Sequence, residues 1–384
     1  MRFFPKPHPV ALALVLFLCG RGAGNATAAS VIAYVGTGAE SPVNGIYALR
    51  FDEATGALDL LGLVANTPHP AFLAMHPNGR FLYAVNEADP DHRNGHTVAA
   101  FAVAGPGPRL RLLGYVPCGG DRPCHIAIDA TGSFAFVANY GSGTVAALPV
   151  RADGSLESPQ FVFQDPQPTS LNPRQREPHA HCVVLDPTNR FLYSCDLGAD
   201  RVMIYRFDAA AGVLSRNVPA SVSVLPGSGP RHLAIAPDGR TAYVLDEIAS
   251  TLVVFDRRLD DGSLTRRQVL STLPPQWTGS STAAEIALDP SGKFLYTSNR
   301  GHDSIARFAI GADGSLTSVD FTPCGKDPRF FTLDPSGRFL LVGDEGSDAL
   351  VVFRIDPGSG RLVPTPGRAA VANPVCLVFG NSQP

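Results

Sequence analysis

The clearest pattern in the chain is a hairpin of two apolar segments that recurs about every 50 residues, the kind of period that signals a repeat architecture. In each copy a short apolar segment leads to a polar turn, usually of the type Asp-Pro-x-Gly, and then to a second apolar segment. Six copies of the turn with its second segment occupy 76–86, 129–139, 186–196, 236–246, 289–299 and 334–344. Short apolar segments bounded by turn residues are typical of β-strands.

Two further strands complete each repeat. A polar loop leads to an alternating segment such as RVMIYRF (201–207) or TLVVFDR (251–257), and a Gly-containing turn leads to a less regular fourth strand. Asp and Pro favour the first positions of such turns, and Gly accepts the left-handed position. Four antiparallel strands in each of several successive repeats predict the blades of a β-propeller.

A seventh blade is predicted to be divided between the two ends of the chain. The segments 31–38, 45–52 and 56–64 have the pattern of its second, third and fourth strands, and 373–380 would supply the first. Pairing the ends would remove the open sheet edges that make β-proteins prone to association. The predicted fold class is therefore all-β: one seven-bladed β-propeller domain over 30–384, its ring closed by the N- and C-terminal strands.

The first 29 residues have the order of a secretory signal peptide. Arg2 and Lys6 precede the apolar run 11–19, and small residues follow, including Ala26-Thr27-Ala28. This charged, apolar and small-residue order predicts cleavage after Ala28 or Ala29. The apolar run is too short for a stable membrane anchor. We therefore expect a periplasmic or secreted protein with no membrane anchor after cleavage.

Six cysteines remain after the predicted cleavage, and an even number in an exported protein permits disulfides. The possible pairs are Cys182 with Cys195, Cys118 with Cys124, and Cys324 with Cys376. Cys182 and Cys195 flank the turn at 186–190, so a disulfide bond between them across that hairpin is favoured. The third pair is allowed only by elimination, and buried free thiols are the alternative for all of them.

Composition and known motifs exclude several functions. Only 17% of the residues are charged and the net charge is −3, which argues against a nucleic-acid partner. The chain has no Gly-rich phosphate loop, H-E-x-x-H or G-x-S-x-G motif. No cofactor is expected. A metal site is not expected either, because His179 and His181 lack an evident third ligand. The expected partner is a small molecule, and the protein is expected to act as a monomer.

One rim of the predicted ring collects chemically active side chains. In a propeller the first strand of each blade lines the channel, and its start lies beside the end of the second strand. Positions at strand starts or ends on this rim hold His125, His179, His181, Arg231, His232, Glu247, Glu285, Arg300, His302 and Arg329. Such groups suit proton transfer and anion binding, whereas the opposite rim carries turn residues. The site is therefore predicted on this rim.

Arg231 and Arg300 are the most informative of these residues. An arginine that lines a channel is costly to bury without an anionic partner. That partner could be a bound substrate, or it could be Glu247 or Glu285 in a purely structural ion pair.

Several long segments resemble the seven-bladed β-propeller lactonase family, which includes the propeller type of 6-phosphogluconolactonase and the carboxy-muconate lactonizing enzyme. They are REPHAH (176–181), GSGPRHLAIAPDGRTAYVLDE (227–247) and TAAEIALDPSGKFLYTSNRGHDSIARF (282–308), and the resemblance extends over about 31–380. It implies a lactonase-like hydrolase that opens a sugar lactone or a related carboxylate-bearing lactone. Its implied catalytic residues are His181, Arg231, Glu247 and Arg300.

The expected mechanism follows from these roles. His181 or Glu247 would be the general base for an attacking water, and Arg231 and Arg300 would bind the substrate anion and the developing oxyanion. Secondary substrate-binding positions would be His125, His179, His232, Glu285, His302 and Arg329. Export makes a phosphorylated substrate less suitable than an unphosphorylated one. The alternatives are a lactonizing cycloisomerase of the muconate type and a non-catalytic exported binding module.

Overall fold

The computed structural model describes Met1 and residues 30–38, 44–87, 96–105, 107–168, 170 and 172–380. Within these ranges the chain forms seven four-stranded antiparallel sheets and two 3-10 helices of three residues each. The predicted all-β, seven-bladed propeller is confirmed. The predicted signal peptide, apart from Met1, lies outside the described residues.

The first four blades follow the chain from its N-terminal end. Blade 1 contains β1 (Ser30–Thr37), β2 (Ile46–Asp52) and β3 (Leu58–Ala65). Blade 2 contains β4 (Pro70–Met75), β5 (Phe81–Asn86), β6 (Thr97–Ala104) and β7 (Arg109–Pro117). Blade 3 contains β8 (Pro123–Ile128), β9 (Phe134–Asn139), β10 (Thr144–Pro149) and β11 (Phe161–Gln164). Blade 4 contains β12 (Ala180–Leu185), β13 (Phe191–Asp196), β14 (Arg201–Asp208) and β15 (Val213–Ser223).

The remaining blades complete the ring. Blade 5 contains β16 (Pro230–Ile235), β17 (Thr241–Asp246), β18 (Thr251–Arg257) and β19 (Leu264–Ser271). Blade 6 contains β20 (Thr282–Leu288), β21 (Phe294–Arg300), β22 (Ser304–Ile310) and β23 (Leu316–Pro323). Blade 7 contains β24 (Pro328–Leu333), β25 (Phe339–Asp344), β26 (Ala349–Ile355) and β27 (Leu362–Ala370). The last strand, β28 (Pro374–Phe379), joins blade 1. The 3-10 helices are Pro173–Gln175 and Glu345–Ser347.

The two ends of the described chain close the ring, as predicted. Strand β28 pairs antiparallel with β1, with Ala33 opposite Phe379 and Gly36 opposite Cys376. The first strands of neighbouring blades contact one another all the way around, from β28 through β4 and β8 to β24. These first strands therefore surround the axis, and their N-terminal ends lie at one mouth of the channel.

The Asp-Pro-x-Gly turns have the chemistry that the sequence predicts. Asp186 Oδ1 accepts hydrogen bonds from the backbone amides of Arg190 and Phe191, both at 2.8 Å. Gly239 takes the left-handed position of its turn with φ of 72°, and Asn189 takes the same position in blade 4 with φ of 58°. Asn is the non-glycine residue that tolerates this conformation best, so the hairpin keeps its shape without glycine.

A tyrosine in the second strand links several blades to the next blade. The Tyr193 hydroxyl donates a hydrogen bond to the carbonyl of Gly262, at 2.7 Å, in the turn between β18 and β19. The equivalent contacts are Tyr83 to Gly154, Tyr243 to Gly314 and Tyr296 to Gly360. The tyrosine at this position of the second strand therefore packs as a core residue while its hydroxyl binds the neighbouring blade.

Blades 4 and 5 are also joined by an ion pair that solvent does not reach. Arg257 Nη2 lies 2.8 Å from Asp186 Oδ2, and both side chains are fully buried. Arg257 Nε donates to the Tyr193 hydroxyl at 2.6 Å, and Nη1 donates to the carbonyl of Gly239 at 2.9 Å. Each polar group of the pair is thus satisfied, which is what makes a buried ion pair tolerable.

The predicted disulfides are wrong for this structure, in which all six of the remaining cysteines are free thiols. Cys118 Sγ donates to the carbonyl of Gly120, whereas Cys124 Sγ points to the backbone carbonyl of His181 in the next blade. Those two thiols therefore point to different neighbours. Cys182 and Cys195 are cross-strand neighbours as expected, but they are buried as unbonded thiols in the apolar core.

The described part of the chain contains no helix with the length and apolar character needed to span a membrane.

Candidate active site

A polar cavity opens at the mouth of the channel where the first strands begin. Its volume is about 220 Å³, and its lining residues are Glu87, Arg122, Cys124, Tyr140, Arg174, His181, Glu247, Arg300 and Arg329. This cavity therefore lies on the rim where the candidate residues were predicted. Of the four catalytic candidates, His181, Glu247 and Arg300 line the cavity, and Arg231 lies against Glu247.

Irregular first strands direct side chains into this cavity. The pairing of β12 with β13 shifts register between Ala180 and Cys182, so His181 is a bulged residue without a direct partner. The same shift occurs at Arg231 in β16, at Cys124 in β8 and at Arg329 in β24. A β-bulge turns a side chain out of the regular alternation. The repeated bulge thus places Cys124, His181 and Arg329 in the lining of the cavity and Arg231 against Glu247.

Glu247 lies at the centre of the cluster and contacts three arginines. Its Oε2 lies 2.9 Å from Arg231 Nε and 3.2 Å from Arg300 Nη2. Its Oε1 accepts a hydrogen bond from Arg174 Nη2 at 2.7 Å. Burial alone would raise the pKa of Glu247, but the charges of Arg300, Arg231 and Arg174 outweigh it and lower the pKa to about 2. The carboxylate is therefore ionised at any physiological pH.

His181 stands beside this carboxylate as a neutral imidazole. Its Nε2 lies 3.8 Å from Glu247 Oε2, and its Nδ1 lies 3.9 Å from Cys124 Sγ. Burial, together with the charges of Arg231 and Arg329, holds the pKa of His181 well below its usual range. A neutral ring can accept a hydrogen bond at one nitrogen and donate one from the other. His181 is therefore suited to orienting a water next to Glu247.

Polar groups that do not line the cavity hold the Arg231 side chain in place. Arg231 Nη1 lies 3.1 Å from His232 Nε2 and also donates to the carbonyl of Ala284. His232 Nδ1 lies 2.8 Å from Glu285 Oε1. Because an arginine can only donate, His232 Nε2 must accept, and its Nδ1–H then donates to Glu285. Burial raises the pKa of Glu285 to about 7.

The other predicted binding residues lie at different depths. Arg329 lines the cavity, 3.7 Å from Glu345. His125 lies deeper in the channel, with its ring centre 4.0 Å from that of Phe72. His179 stacks on Tyr140 at 4.3 Å and therefore lies behind a lining residue.

His302 is the candidate that the structure separates from the others. Its ring packs edge-on against Trp277, with centroids 4.7 Å apart, and its Nδ1 lies 2.6 Å from the Ser304 hydroxyl. It is not among the residues that line the cavity. The loop that follows β21 turns its side chain outward, whereas Arg300, two residues earlier, points inward.

Two arginines of the cavity were not identified as candidates from the sequence. Arg122 lies 2.9 Å from Glu87 and covers the ring of Tyr140. It has a left-handed backbone with φ of 51° and directly precedes the proline that begins β8, as His69 precedes Pro70. That repeated position could have identified it. Arg174 lies in the long connection between blades 3 and 4, where no repeat pattern applies.

Metal binding and a cysteine nucleophile have little support in the described residues. Among them, no group of three or more His, Cys, Asp or Glu side chains is arranged to hold a metal ion. Cys124 faces the cavity, but burial raises the pKa of its thiol far above the usual range. A thiol rather than a thiolate is a poor nucleophile. The chemistry of the cavity is therefore that of its arginines, Glu247 and His181.

Comparison with known proteins gives one consistent result. The family described as "Lactonase, 7-bladed beta-propeller" matches residues 32–379. The chain is 34% identical over 352 residues to a 6-phosphogluconolactonase of Bacillus subtilis, covering 91% of this chain and 98% of that protein. It is 31% identical over 337 residues to a 6-phosphogluconolactonase of Formosa agariphila, covering 86% and 94%.

A solved structure agrees with the sequence matches. The periplasmic gluconolactonase PpgL of Pseudomonas aeruginosa superimposes with a TM-score of 0.86 and 35% identity, covering 92% of this chain and 100% of that one. The resemblance seen in the sequence is therefore confirmed along nearly the whole propeller. This chain belongs to the lactonase family of seven-bladed β-propellers.

Proposed function

We propose that the protein is a lactone hydrolase that opens a sugar lactone or a related carboxylate-bearing lactone. The observation that carries this proposal is the ionised Glu247 carboxylate among three arginines, next to the neutral ring of His181. The named relatives are lactonases of sugar acids. The cavity volume of about 220 Å³ suits a ligand of one sugar ring, since pockets for larger drug-sized ligands exceed about 300 Å³.

Glu247 is the general base in this proposal. A water held between Glu247 Oε2 and His181 Nε2 gives a proton to Glu247 as its oxygen attacks the lactone carbonyl carbon. The ring C–O bond then breaks, and the protonated Glu247 returns the proton to the leaving ring oxygen. The immediate products are one carboxylic acid and one hydroxyl on the same open chain, so one water is consumed for each lactone opened. The new acid then loses its proton to the solvent, which leaves a carboxylate and releases one proton per turnover.

The arginines favour this transfer because the negative charge moves only a short distance. Before the reaction Glu247 carries the negative charge beside Arg231 and Arg300. In the tetrahedral intermediate Glu247 is protonated, and the former carbonyl oxygen of the lactone carries that charge. The same guanidinium groups can stabilise both, in a buried setting where electrostatic interactions are stronger than in water. Protonating His181 instead would add a cation next to several arginines, which the low pKa of His181 already opposes.

The lining also favours an anionic substrate. It contains four arginines, Arg122, Arg174, Arg300 and Arg329, against two glutamates, Glu87 and Glu247. A lactone that carries a carboxylate or a phosphate would offset the excess positive charge. The predicted export favours the unphosphorylated lactones of this class.

A panel of lactones followed by acid release tests the proposal. We expect turnover of at least one sugar or carboxylate-bearing lactone and a loss of about 100- to 10,000-fold in kcat for Glu247→Gln, the range typical of a lost general base. Glu177→Gln, an exposed carboxylate outside the cavity lining, is the matched control and should have wild-type activity. No acid release above the spontaneous rate would contradict the proposal. Product formed in oxygen-18 water without uptake of the label would indicate a cycloisomerase instead.

Export to the periplasm or medium is part of the same proposal. It is supported by the predicted signal sequence over 1–29 and by the likeness to a periplasmic gluconolactonase. We expect the full chain, expressed in a bacterial host, to appear in the periplasm or medium with residue 29 or 30 as its first residue. Mass spectrometry of the intact protein checks this. A chain that retains Met1 in the cytoplasm would contradict it. We expect the mature protein to be a monomer.

A further inference from the structure

Arg174 differs from the other two arginines that contact Glu247. Arg231 lies in β16 and Arg300 ends β21, so both belong to the propeller, whereas Arg174 lies in the 3-10 helix of the connection between blades 3 and 4. Its side chain is 44% exposed, compared with 4% for Arg231 and 15% for Arg300. Arg174 is thus the arginine partner of Glu247 that is most accessible to solvent or a ligand.

The backbone that carries Arg174 is firmly held. The amide of Arg174 donates to Asn172 Oδ1 at 3.0 Å, which caps the 3-10 helix. The next residue, Gln175, is fully buried and donates from Nε2 to the carbonyl of Leu197 at 2.8 Å and to Asp200 Oδ1 at 2.7 Å. The backbone around Arg174 is therefore held by hydrogen bonds, so a change of partner would involve its long, partly exposed side chain.

Glu247 is poorly prepared for base catalysis while all three arginines contact it. The ionisable groups that face it are Arg174 from the connection, His181 from β12, Arg231 and His232 from β16, Arg300 from β21 and, farther away, Arg329 from β24. Together the arginines favour the ionised carboxylate strongly and so weaken it as a proton acceptor. One arginine has to withdraw for Glu247 to become a better base.

We propose that Arg174 is an exchangeable counterion that pairs with Glu247 Oε1 in the empty site and transfers to the anionic group of the bound lactone. This inference rests on the proposed lactonase function, and it adds a substrate-binding residue and a requirement for an anionic substituent. Arg174 exchanges one carboxylate or phosphate partner for another, so its own pairing is retained. Arg231 and Arg300 stay in place, because they are buried against backbone carbonyls.

The pH dependence of the reaction separates this role from a purely structural one. Glu247 must be ionised to accept a proton, so activity falls as the pH drops through its pKa. The profile of kcat/KM reports that pKa in the free enzyme, and the profile of kcat reports it in the substrate complex. In the wild type Arg174 contacts Glu247 only in the free enzyme. We call the fall of activity on the acidic side of each profile its acid limb. The acid limb of kcat/KM should therefore have its midpoint at a lower pH than the acid limb of kcat.

In Arg174→Gln the acid limb of kcat/KM should move up by about one pH unit, the size expected when one nearby charge is lost. The limb of kcat should move little, so the separation between the two limbs shrinks. KM should rise about tenfold for an anionic lactone, the effect of about 1.4 kcal/mol of lost binding, and should change little for an uncharged lactone of the same ring size.

Three variants serve as controls. Arg174→Lys keeps the charge and should restore most of the wild-type limb. Arg122→Gln removes a cavity arginine that contacts Glu87 rather than Glu247, so it should leave the kcat/KM limb in place. Arg176→Gln removes an exposed arginine of the same connection that does not line the cavity, and it should behave as wild type.

The outcomes distinguish this inference from the function on which it rests. If the wild type hydrolyses no lactone, the proposed function fails. If the wild type is active but Arg174→Gln leaves the kcat/KM limb and the KM for the anionic lactone unchanged, the inference is wrong and the function stands. A shift of the same size in Arg122→Gln would also overturn it, because the effect would then reflect the general charge of the cavity. Thermal melting confirms that each variant is folded.

Discussion

Replacing Arg231 by alanine is expected to lower kcat/KM for lactone hydrolysis about 100- to 1000-fold, the usual effect of removing one preorganised oxyanion donor. Arg231 is 4% exposed and contacts Glu247 at 2.9 Å, so its charge acts where water does not screen it. The variant also leaves His232 Nε2 without its donor. Steady-state kinetics with the best lactone of the panel measure the effect.

The control for this experiment is Arg201→Ala. Arg201 is an exposed arginine at the start of β14 that contacts Ser221 and does not line the cavity. It should keep wild-type kinetics. Arg231→Lys should be intermediate, because an ammonium group keeps the charge but not the two-sided contacts of the guanidinium group. An Arg231→Ala enzyme with wild-type kcat/KM would rule out the proposed role of this side chain.

The largest effect on stability is expected at the opposite end of the blades. Arg257→Ala should lower the free energy of unfolding by about 3–5 kcal/mol, because it leaves the Asp186 carboxylate buried without its partner. Burial tends to raise the pKa of Asp186, but hydrogen bonds from Thr188 and two backbone amides, together with the charge of Arg257, lower it overall. Denaturant unfolding at neutral pH measures the loss.

The neighbouring residue provides a matched control. Arg258 contacts Asp260 at the same 2.8 Å distance, but both side chains are about two-thirds exposed. Arg258→Ala should therefore leave the unfolding midpoint unchanged within error. Because the pKa of Asp186 is lowered in the folded state, the advantage of the wild type over Arg257→Ala should be present above about pH 4 and shrink as the pH falls below it. Equal losses in the two variants would contradict the role of burial.

The fold was predictable because its signals are local and repeated. An apolar segment, an Asp-Pro-x-Gly turn and a second apolar segment define a hairpin by themselves. The copy in blade 4 shows how robust this signal is, since Asn189 replaces glycine and keeps the same left-handed position. Closure by β28 was predictable because the N-terminal segments supply only three strands of blade 1. A fourth strand was needed to pair with β1.

The location of the candidate site was predictable in part, for a related reason. Positions at strand ends identify the rim, and this placed His181, Arg231, Glu247 and Arg300 near one another. Regular alternation cannot show which residue of a strand start points inward, because the β-bulge at His181 breaks that alternation. His302 was assigned to the rim by proximity in sequence, but the loop after β21 directs it to Trp277.

Two features depend on tertiary contacts and leave no pattern in the sequence. Arg174 reaches Glu247 across 73 positions of the chain from an irregular connection, so neither period nor motif identifies it. The cysteines wrongly indicated disulfide bonds. An even number of cysteines, and the symmetric position of Cys182 and Cys195 around one turn, are compatible with buried free thiols as well as with bonded ones. Cys118 and Cys124 lie close in sequence, but the Cys118 thiol contacts the carbonyl of Gly120 in its own connection and the Cys124 thiol contacts the carbonyl of His181 in blade 4.

The pairing of β28 with β1 also sets the order in which the molecule can be assembled. Synthesis delivers β1 first and β28 after every other strand, so blade 1 has an unpaired edge until Pro374–Phe379 is available. Contacts between such distant segments form late and slowly. The newly made chain therefore passes through a stage in which it is an open arc of blades, and the channel acquires a complete wall only after translation of that final segment.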